Sequence, residues 1–176
     1  MRWIINVIKA LLLLLVVLAG VSFLLPEHRQ VERSREIAAG PERIWPLIAD
    51  PRRWEAWSPW FAKDPAMKLD YSGAASGAGA QWRWDSATQG RGSMRFDTAQ
   101  PPQRLAYTLV FEDMGSTATG EFRLEPTGNT TRVVWTFDTH LGKNPVMRWF
   151  GLVMDRMVGA DFESGLVRLE QAAKAP

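Results

Sequence analysis

The chain has 176 residues, a formal net charge of +2 and no cysteine. This length allows one ordinary domain with its own core beside an N-terminal segment, and the lack of cysteine excludes disulfides, thiolate catalysis and cysteine-based zinc sites. Arg2 and Lys9 account for the excess positive charge, so the rest of the chain is neutral and we expect no nucleic-acid partner.

The N-terminal segment from Trp3 to Leu25 is an apolar run interrupted only by Asn6 and Lys9. As a helix that rises about 1.5 Å per residue, it is long enough to cross a bilayer. No clear small-x-small cleavage site precedes its end. We therefore predict a transmembrane anchor, or an uncleaved signal, over residues 1–26. A cleaved signal peptide is the alternative.

The segment that follows is predicted to join this anchor to a single domain. Pro26 ends the helix, residues 27–30 form a short polar tether, and the domain occupies residues 31–176. Basic residues lie on both sides of the apolar run, so the positive-inside rule does not determine the orientation of the helix in the membrane. A short apolar first segment with a basic start favours an inside N-terminus. We expect a single-pass membrane protein with an extracytoplasmic (periplasmic) domain.

The first part of the domain predicts one strand followed by two short helices. Residues 31–38 alternate imperfectly between apolar and polar side chains, which indicates a strand. Pro41 suits the first position of a helix, and Pro46 must kink that helix or keep it short. Ser58 and Pro59 break the next helical turn. We predict two short helices arranged in a V before residue 61.

From Met67 onward the apolar period changes to two. The alternation recurs in about six consecutive stretches separated by turn signals, with a small-residue loop at 72–80. One apolar and one mostly polar face per stretch is typical of an antiparallel sheet that faces water on one side. The apolar face carries large aromatic side chains: Trp82, Trp84, Phe96, Tyr107, Phe111, Phe122, Trp135 and Phe137.

Residues 144–174 predict one long helix. Asn144 can cap its start, and Pro145 suits its first position. The apolar residues at helical spacing predict the face that packs on the sheet: Val146, Phe150, Val153, Met157 and Ala160, widened by Met147, Met154, Val158 and Phe162. The expected fold class is α+β, with a curved antiparallel sheet of about seven strands around the C-terminal helix and two short helices after the first strand.

Three stretches carry a resemblance to a known family: residues 39–51 (AGPERIWPLIADP), 54–60 (WEAWSPW) and 157–169 (MVGADFESGLVRL). With the predicted order of elements, they resemble the START-like helix-grip superfamily, also called the SRPBCC or polyketide cyclase/dehydrase-like fold. The resemblance covers about residues 31–173. It implies a hydrophobic ligand held between the sheet and the long helix. It implies no particular reaction, because the superfamily includes enzymes, binders and transporters without a shared catalytic motif.

Residue types that support catalysis or metal binding are sparse. The two histidines, His28 and His140, lie at the predicted tether and on the polar side of the last strand. The glycine-rich residues 73–79 are not followed by Lys and Ser or Thr, which excludes a phosphate loop. We therefore predict no catalytic residue, no metal site and no cofactor. Asp161 and Tyr107 are the polar residues that we expect to approach a ligand.

The predicted ligand-binding residues share positions on the apolar face of the sheet, on the helix pair or on the long helix. They are Trp57, Trp82, Trp84, Phe96, Tyr107, Phe111, Trp135, Phe137, Phe150, Met154, Met157 and Asp161. The leading hypothesis is a membrane-anchored binding module for a small hydrophobic or amphipathic ligand, lipid-like or polyketide-like. A cyclase/dehydratase-type enzyme and a membrane-proximal protein-interaction domain without ligand are the alternatives. The oligomeric state is left open.

Overall fold

The chain folds as a single sheet that grips its C-terminal helix. The structure is a computed structural model that describes residues 2–175. In chain order the elements are α1 (Arg2–Ser22), β1 (His28–Ile37), α2 (Pro41–Ala49), a 3₁₀ helix (Pro51–Ala56), α3 (Pro59–Lys63), β2 (Lys68–Gly73), β3 (Ala80–Ser86), β4 (Gly90–Gln100), β5 (Arg104–Phe111), β6 (Ser116–Thr127), β7 (Thr130–His140) and α4 (Pro145–Lys174). The predicted α+β order is confirmed.

The sheet has seven strands in the order β1-β7-β6-β5-β4-β3-β2, and every neighbouring pair is antiparallel. Strands β2 to β7 form the predicted meander, and β1 adds to its far end beside β7. The pairing register places Phe122 of β6 opposite Trp135 of β7 on the buried face. The alternating aromatic residues therefore line the concave side of a curved sheet, as the period of two requires.

Three helical segments, instead of the predicted two, connect β1 to β2. Pro51 and Pro59 each begin a new segment, because a proline fits the first helical position and disfavours helical geometry in the residue before it. Asp50 caps the 3₁₀ helix by accepting a hydrogen bond of 2.9 Å from the Arg52 N–H. The indole N–H of Trp54 donates to the Ile48 carbonyl at 2.9 Å, which holds the 3₁₀ helix against α2.

The position of β1 corrects the prediction of a tether at residues 27–30. Strand β1 begins at His28, where it pairs with His140 of β7, so residues 28–30 belong to the sheet. The polar side chains that suggested a tether are compatible with an edge strand, whose outer side faces water. Only Glu27 separates Pro26 from the sheet, and its carbonyl accepts a hydrogen bond of 2.7 Å from the Leu141 N–H.

The predicted packing face of α4 is correct only in part. Val146, Val153 and Met157 are 73%, 46% and 54% exposed. Met154 and Phe162 of the predicted face are buried, and Met147, Phe150 and Val158 pack against the core. The remaining buried positions of α4 were not predicted: Arg148, Gly151, Gly159, Gly165, Leu166, Leu169 and Ala173. The first half of the helix carries Arg148 and Asp155 on the side that meets the rest of the domain, where they pair with Glu27 and Arg33, so apolar periodicity did not mark that side as the packing face. The glycines select it, because a Cβ at Gly151 would lie 2.5 Å from Leu141 Cδ1, and a Cβ at Gly159 would collide with the Arg33 guanidinium.

Helix α1 is long and apolar enough to cross a membrane, and its apolar side chains are exposed. A signal sequence has the same length and composition, so the anchor stays a prediction. The indole N–H of Trp149 donates to the Leu18 carbonyl at 3.2 Å, which places the end of α1 beside the start of α4.

Candidate functional site

A cavity of about 200 Å³ lies between the concave face of the sheet, the helical segments and the middle of α4. The lining residues are mostly apolar and aromatic: Trp54, Ser58, Trp60, Phe61, Met67, Trp82, Trp84, Gln89, Met94, Tyr107, Leu109, Phe111, Trp135, Phe137, Val158, Asp161 and Phe162. Such a lining with few polar groups is typical of sites that bind small molecules.

Packed aromatic rings form the floor of the cavity. Trp54 of the 3₁₀ helix lies 5.2 Å from Trp82 and 6.0 Å from Trp135 between ring centroids, and all three are buried. Phe122 and Trp135, on neighbouring strands, stack with their ring centroids 4.8 Å apart. Rings in mutual contact have few alternative rotamers in a close-packed interior, so this floor is rigid and its shape is preformed.

Tyr107 contributes its ring to the cavity wall and its hydroxyl to the structure. The hydroxyl donates to the Thr136 carbonyl at 2.7 Å and accepts from the Trp135 indole N–H at 2.9 Å. Gly120 leaves the space that the phenol occupies, since a Cβ there would collide with it. Burial raises the pKa of the Tyr107 hydroxyl. The phenol is therefore neutral at physiological pH, and its donor is already in use.

Ser58 provides an unpaired hydroxyl in the cavity wall. The residue is 1% exposed, and its Oγ has no hydrogen-bond partner among the described residues. Although Ser58 precedes α3 as its N-cap, its side chain makes no capping hydrogen bond. Leaving a buried hydroxyl unpaired costs about 1–3 kcal/mol, so such groups in native proteins call for an explanation. Because this oxygen has almost no accessible surface, a bound polar group would pair with it only after a small movement of the neighbouring side chains.

An ion pair joins α3 and α4 at the cavity. The Lys63 Nζ lies 2.5 Å from the Asp161 Oδ1. Both side chains are partly exposed, and Asp161 is the one carboxylate among the residues that line the cavity. The pair bridges the two helices beside the cavity, and it places a carboxylate on the cavity wall.

The mouth of the cavity lies at one end of the sheet. The half-buried lining residues there are Met67 before β2, Gln89 in the β3–β4 turn and Phe111 at the end of β5. The deeper lining residues, such as Tyr107 and Trp135, are buried. Half-buried lining residues also come from α3 and α4, namely Trp60, Phe61, Val158 and Asp161, so the opening lies between these helices and the end of the sheet where β2 begins and β3 and β5 end.

The structure brings together many, but not all, of the predicted ligand-binding residues. Those on the cavity wall are Trp82, Trp84, Tyr107, Phe111, Trp135, Phe137 and Asp161. Trp57 and Phe96 are buried in the core outside the cavity, and Phe150 and Met154 lie nearer the start of α4. Met157 is exposed. Their roles in binding remain predictions.

Other lining residues were not selected from the sequence. Met94 and Leu109 share the strand parity of predicted neighbours, so alternation contained the signal for them. Ser58, Phe61 and Gln89 carried no such signal, because they come from short helices and a turn whose orientation depends on packing. Over residues 2–175, no cluster of three or more His, Cys, Asp or Glu side chains is placed to hold a metal ion.

Comparisons with solved structures show the same fold in proteins of low sequence identity. Zhui aromatase/cyclase from a Streptomyces species is 19% identical with a TM-score of 0.64, over 84% of this chain and 94% of that chain. Norcoclaurine synthase from Thalictrum flavum, in complex with dopamine and hydroxybenzaldehyde, is 14% identical with a TM-score of 0.62, over 82% and 85%. A protein from Chromobacterium violaceum is 16% identical with a TM-score of 0.61, over 84% and 98%.

The sequence comparisons identify the family. No curated protein matched the sequence. Residues 28–174, which extend from β1 to the end of α4, match the family described as polyketide cyclase/dehydrase and lipid transport. This range includes every residue of the cavity wall, and the predicted resemblance to the helix-grip superfamily is confirmed. The chain belongs to the polyketide cyclase/dehydrase and lipid transport family, with a ligand-binding helix-grip domain after its apolar N-terminal helix.

Proposed function

We propose that this domain binds one small hydrophobic or amphipathic molecule in the cavity between the sheet and α4, while α1 anchors it to a membrane. The observation that carries this proposal is the cavity with a mostly aromatic and apolar wall, to which Ser58 contributes an unpaired hydroxyl. In a core without a ligand, an unpaired buried hydroxyl would only destabilise the fold. A ligand site gains orientation from one polar contact and affinity from the apolar area that it buries.

The size of the cavity limits the ligand. An apolar cavity of about 150 Å³ in another protein is known to hold benzene. A volume of about 200 Å³ accordingly suits a molecule with one or two rings or a short acyl chain, and it is too small for a lipid with two full chains. The expected ligand has a flat apolar body against Trp82 and Trp135 and a hydrogen-bonding group near Ser58.

The test uses the full-length chain in lipid nanodiscs, with a panel of one-ring and two-ring phenols and short fatty acids as probes. Binding is followed through the fluorescence of the tryptophans in the cavity wall. Leu109→Trp fills the cavity, whereas Val110→Trp places the same ring on the exposed face of the same strand. We expect Leu109→Trp to abolish binding and Val110→Trp to preserve it. Equal binding by both variants, or no binding by the unmodified chain, would contradict the proposal.

Ser58→Ala tests the polar contact separately. Because Ser58 Oγ has no protein partner, its removal costs no intramolecular hydrogen bond, and the melting temperature should stay the same or rise. Loss of one hydrogen bond to the ligand should weaken probe binding by about threefold to tenfold. Ser164→Ala, at an exposed position of α4, serves as the control.

Catalysis on the bound molecule is the second candidate, favoured by the position of Asp161 on the cavity wall. A carboxylate at that position can accept a proton from a substrate, as a cyclase/dehydratase-type reaction requires. Asp161→Asn would then retain probe binding and lose turnover. If no probe is converted by the unmodified chain, binding alone remains.

A further inference from the structure

We propose that the outward side of the first half of α4 lies on the surface of a lipid bilayer, and that the cavity opens towards that bilayer. The surface in question, the α4 outer face, consists of Val146, Trp149, Val153 and Met157. The inference rests on the proposed anchoring by α1 and adds to it an orientation for the domain and a membrane source for the ligand.

Val146, Val153 and Met157 of the α4 outer face are apolar and exposed, and Trp149 is the member of this face that contacts α1. The spacing of these residues places them on one side of the helix, and Val146, Val153 and Met157 are each at least 46% exposed. The opposite side, with Gly151 and Met154, packs on the rest of the domain. A helix that only covers a sheet has polar residues on its outer side, so a contiguous apolar outer face indicates a second contact surface.

The occupant follows from the connection between this face and α1. Trp149 donates its indole N–H to the Leu18 carbonyl, about one helical turn before the end of α1 at Ser22. If α1 spans a bilayer and leaves it near Ser22, Trp149 lies at the depth of the headgroups. That is the depth at which tryptophan is enriched in membrane proteins. The α4 outer face continues from Trp149 along the same surface.

Arg148 holds the start of α4 against the end of α1. Its guanidinium is 2% exposed and donates to the Phe23 and Leu25 carbonyls at 3.3 and 3.2 Å, and it forms an ion pair with Glu27. The residues that connect α1 to β1 are thereby fastened to the first turn of α4. Movement of α4 away from the end of α1 would break these contacts of Arg148.

The charges around the face suit anionic lipids. Lys143 and Arg156 are exposed beside it. The neighbouring carboxylate, Asp155, points to the other side, where it pairs with Arg33 of β1 at 3.0 Å. Basic residues flanking an apolar helix face attract it to a surface of anionic headgroups. A bilayer therefore matches both the apolar and the charged part of this surface.

The cavity opens at the same end of the molecule. Antiparallel pairing aligns the start of β1 with the end of β7, the end of β5 with the start of β6, and the end of β3 with the start of β4. Strand β1 follows α1 directly, and Gln89 and Phe111 at the cavity mouth lie at these same strand ends. A ligand dissolved in the bilayer would reach the mouth without crossing bulk water.

The absence of cysteine allows a direct test by single labels. The full-length chain carries Val153→Cys or Met157→Cys, modified with an environment-sensitive fluorophore, in nanodiscs of phosphatidylcholine and phosphatidylglycerol. Val167→Cys, 37% exposed on the second half of α4, is the matched control. We expect brominated lipids to quench the labels at 153 and 157 several-fold more than the label at 167, and iodide to quench them less. Equal quenching at the three positions would overturn the proposal.

Two further readouts separate the causes of failure. A label at Val16→Cys reports whether α1 is inserted: if it is quenched by lipid and 153 is not, docking is wrong and anchoring stands. If lipid does not quench the label at position 16, both the anchoring and the docking are wrong. Ligand binding is then still judged separately, from the comparison of Leu109→Trp with Val110→Trp. Labels at 153 and 157 that are shielded from both quenchers would indicate a second copy of the chain on this face, and would overturn bilayer docking.

Discussion

Trp135 of β7 and Phe162 of α4 stack face to face, with ring centroids 3.9 Å apart and planes inclined by 4°. Both residues are buried, and both line the cavity. This contact joins the middle of the sheet to the middle of the helix. It therefore supports the fold and limits the depth of the cavity at the same time.

Phe162→Ala should destabilise the domain strongly. Removing a buried aromatic side chain loses its transfer free energy and leaves a cavity, which together cost about 3–5 kcal/mol. Phe162→Leu should cost less, because it retains part of the volume. The free energy of unfolding is measured by urea denaturation in mild detergent. A similar loss for Leu and Ala would show that the stacked ring, rather than the volume, is decisive.

Gly165→Ala should destabilise the domain although alanine is the better helix former. The substitution favours an isolated helix by about 1 kcal/mol. Its Cβ would, however, lie 2.8 Å from the Trp135 ring and 3.2 Å from Pro59 Cδ, so α4 must move away from the sheet. Ser164→Ala at the adjacent exposed position should be neutral or slightly stabilising. Thermal melting of the two variants compares them, and a higher melting temperature for Gly165→Ala would refute the close contact.

Tyr107→Phe should lower the free energy of unfolding by about 1–3 kcal/mol, because it leaves the buried Trp135 indole N–H without its acceptor. The other tyrosine, Tyr71, bonds to the exposed Glu55 at 2.8 Å and provides the control. Tyr71→Phe should have a smaller effect, since water can replace that partner. Equal effects in chemical denaturation would mean that burial of the Tyr107 network does not matter.

Stability should fall in acid as the ion pairs between β1 and α4 are lost. Hydrogen bonds from the Arg33 guanidinium hold the pKa of the Asp155 carboxyl below its usual value. A depressed pKa contributes stability that is present above the pKa of the unfolded chain, about 3.9, and is lost as pH falls through the folded value. Asp155→Asn should make unfolding less dependent on pH below about 4.

The measurement for this prediction is the urea midpoint as a function of pH for the unmodified chain and Asp155→Asn. Asp70→Asn, on the exposed side of β2, controls for the removal of one negative charge. The effect should be small because the Asp155 side chain is 66% exposed, and water screens its pairing with Arg33. Parallel curves for the unmodified chain and Asp155→Asn would exclude a role for this pair in acid stability.

Much of the fold could be predicted from local patterns. Alternation placed Trp82, Trp135 and Phe137 on one face of a meander, because successive side chains in a strand point to opposite sides of the sheet. Asn144 and Pro145 predicted the start of α4, and the structure confirms it, with the Asn144 side chain accepting from the Val146 N–H. The tether at 27–30 was wrong because a polar edge strand and a polar linker have similar composition.

The candidate site could be predicted only in part. Strand parity selected most of its aromatic wall, yet it did not separate Phe96, which is buried in the core, from Trp84, which lines the cavity. Both residues alternate with polar neighbours along their strands. They differ only in which side chains pack against them in the folded protein. Ser58 gave no sequence signal at all, because an unpaired hydroxyl is a property of its surroundings.

The sequence alone determined the order of the elements, the apolar face of each strand and the apolar character of α1, since all of these follow from short-range periodicity and composition. Tertiary structure alone decided which side of α4 meets the sheet. In its first half, the side with Gly151 and Gly159 packs on the domain, because only glycine lets the β1 side chains Arg29 and Arg33 approach so closely. That choice leaves Val153 and Met157 facing outward beside α1, and it leaves a cavity whose volume depends on the separation of helix and sheet.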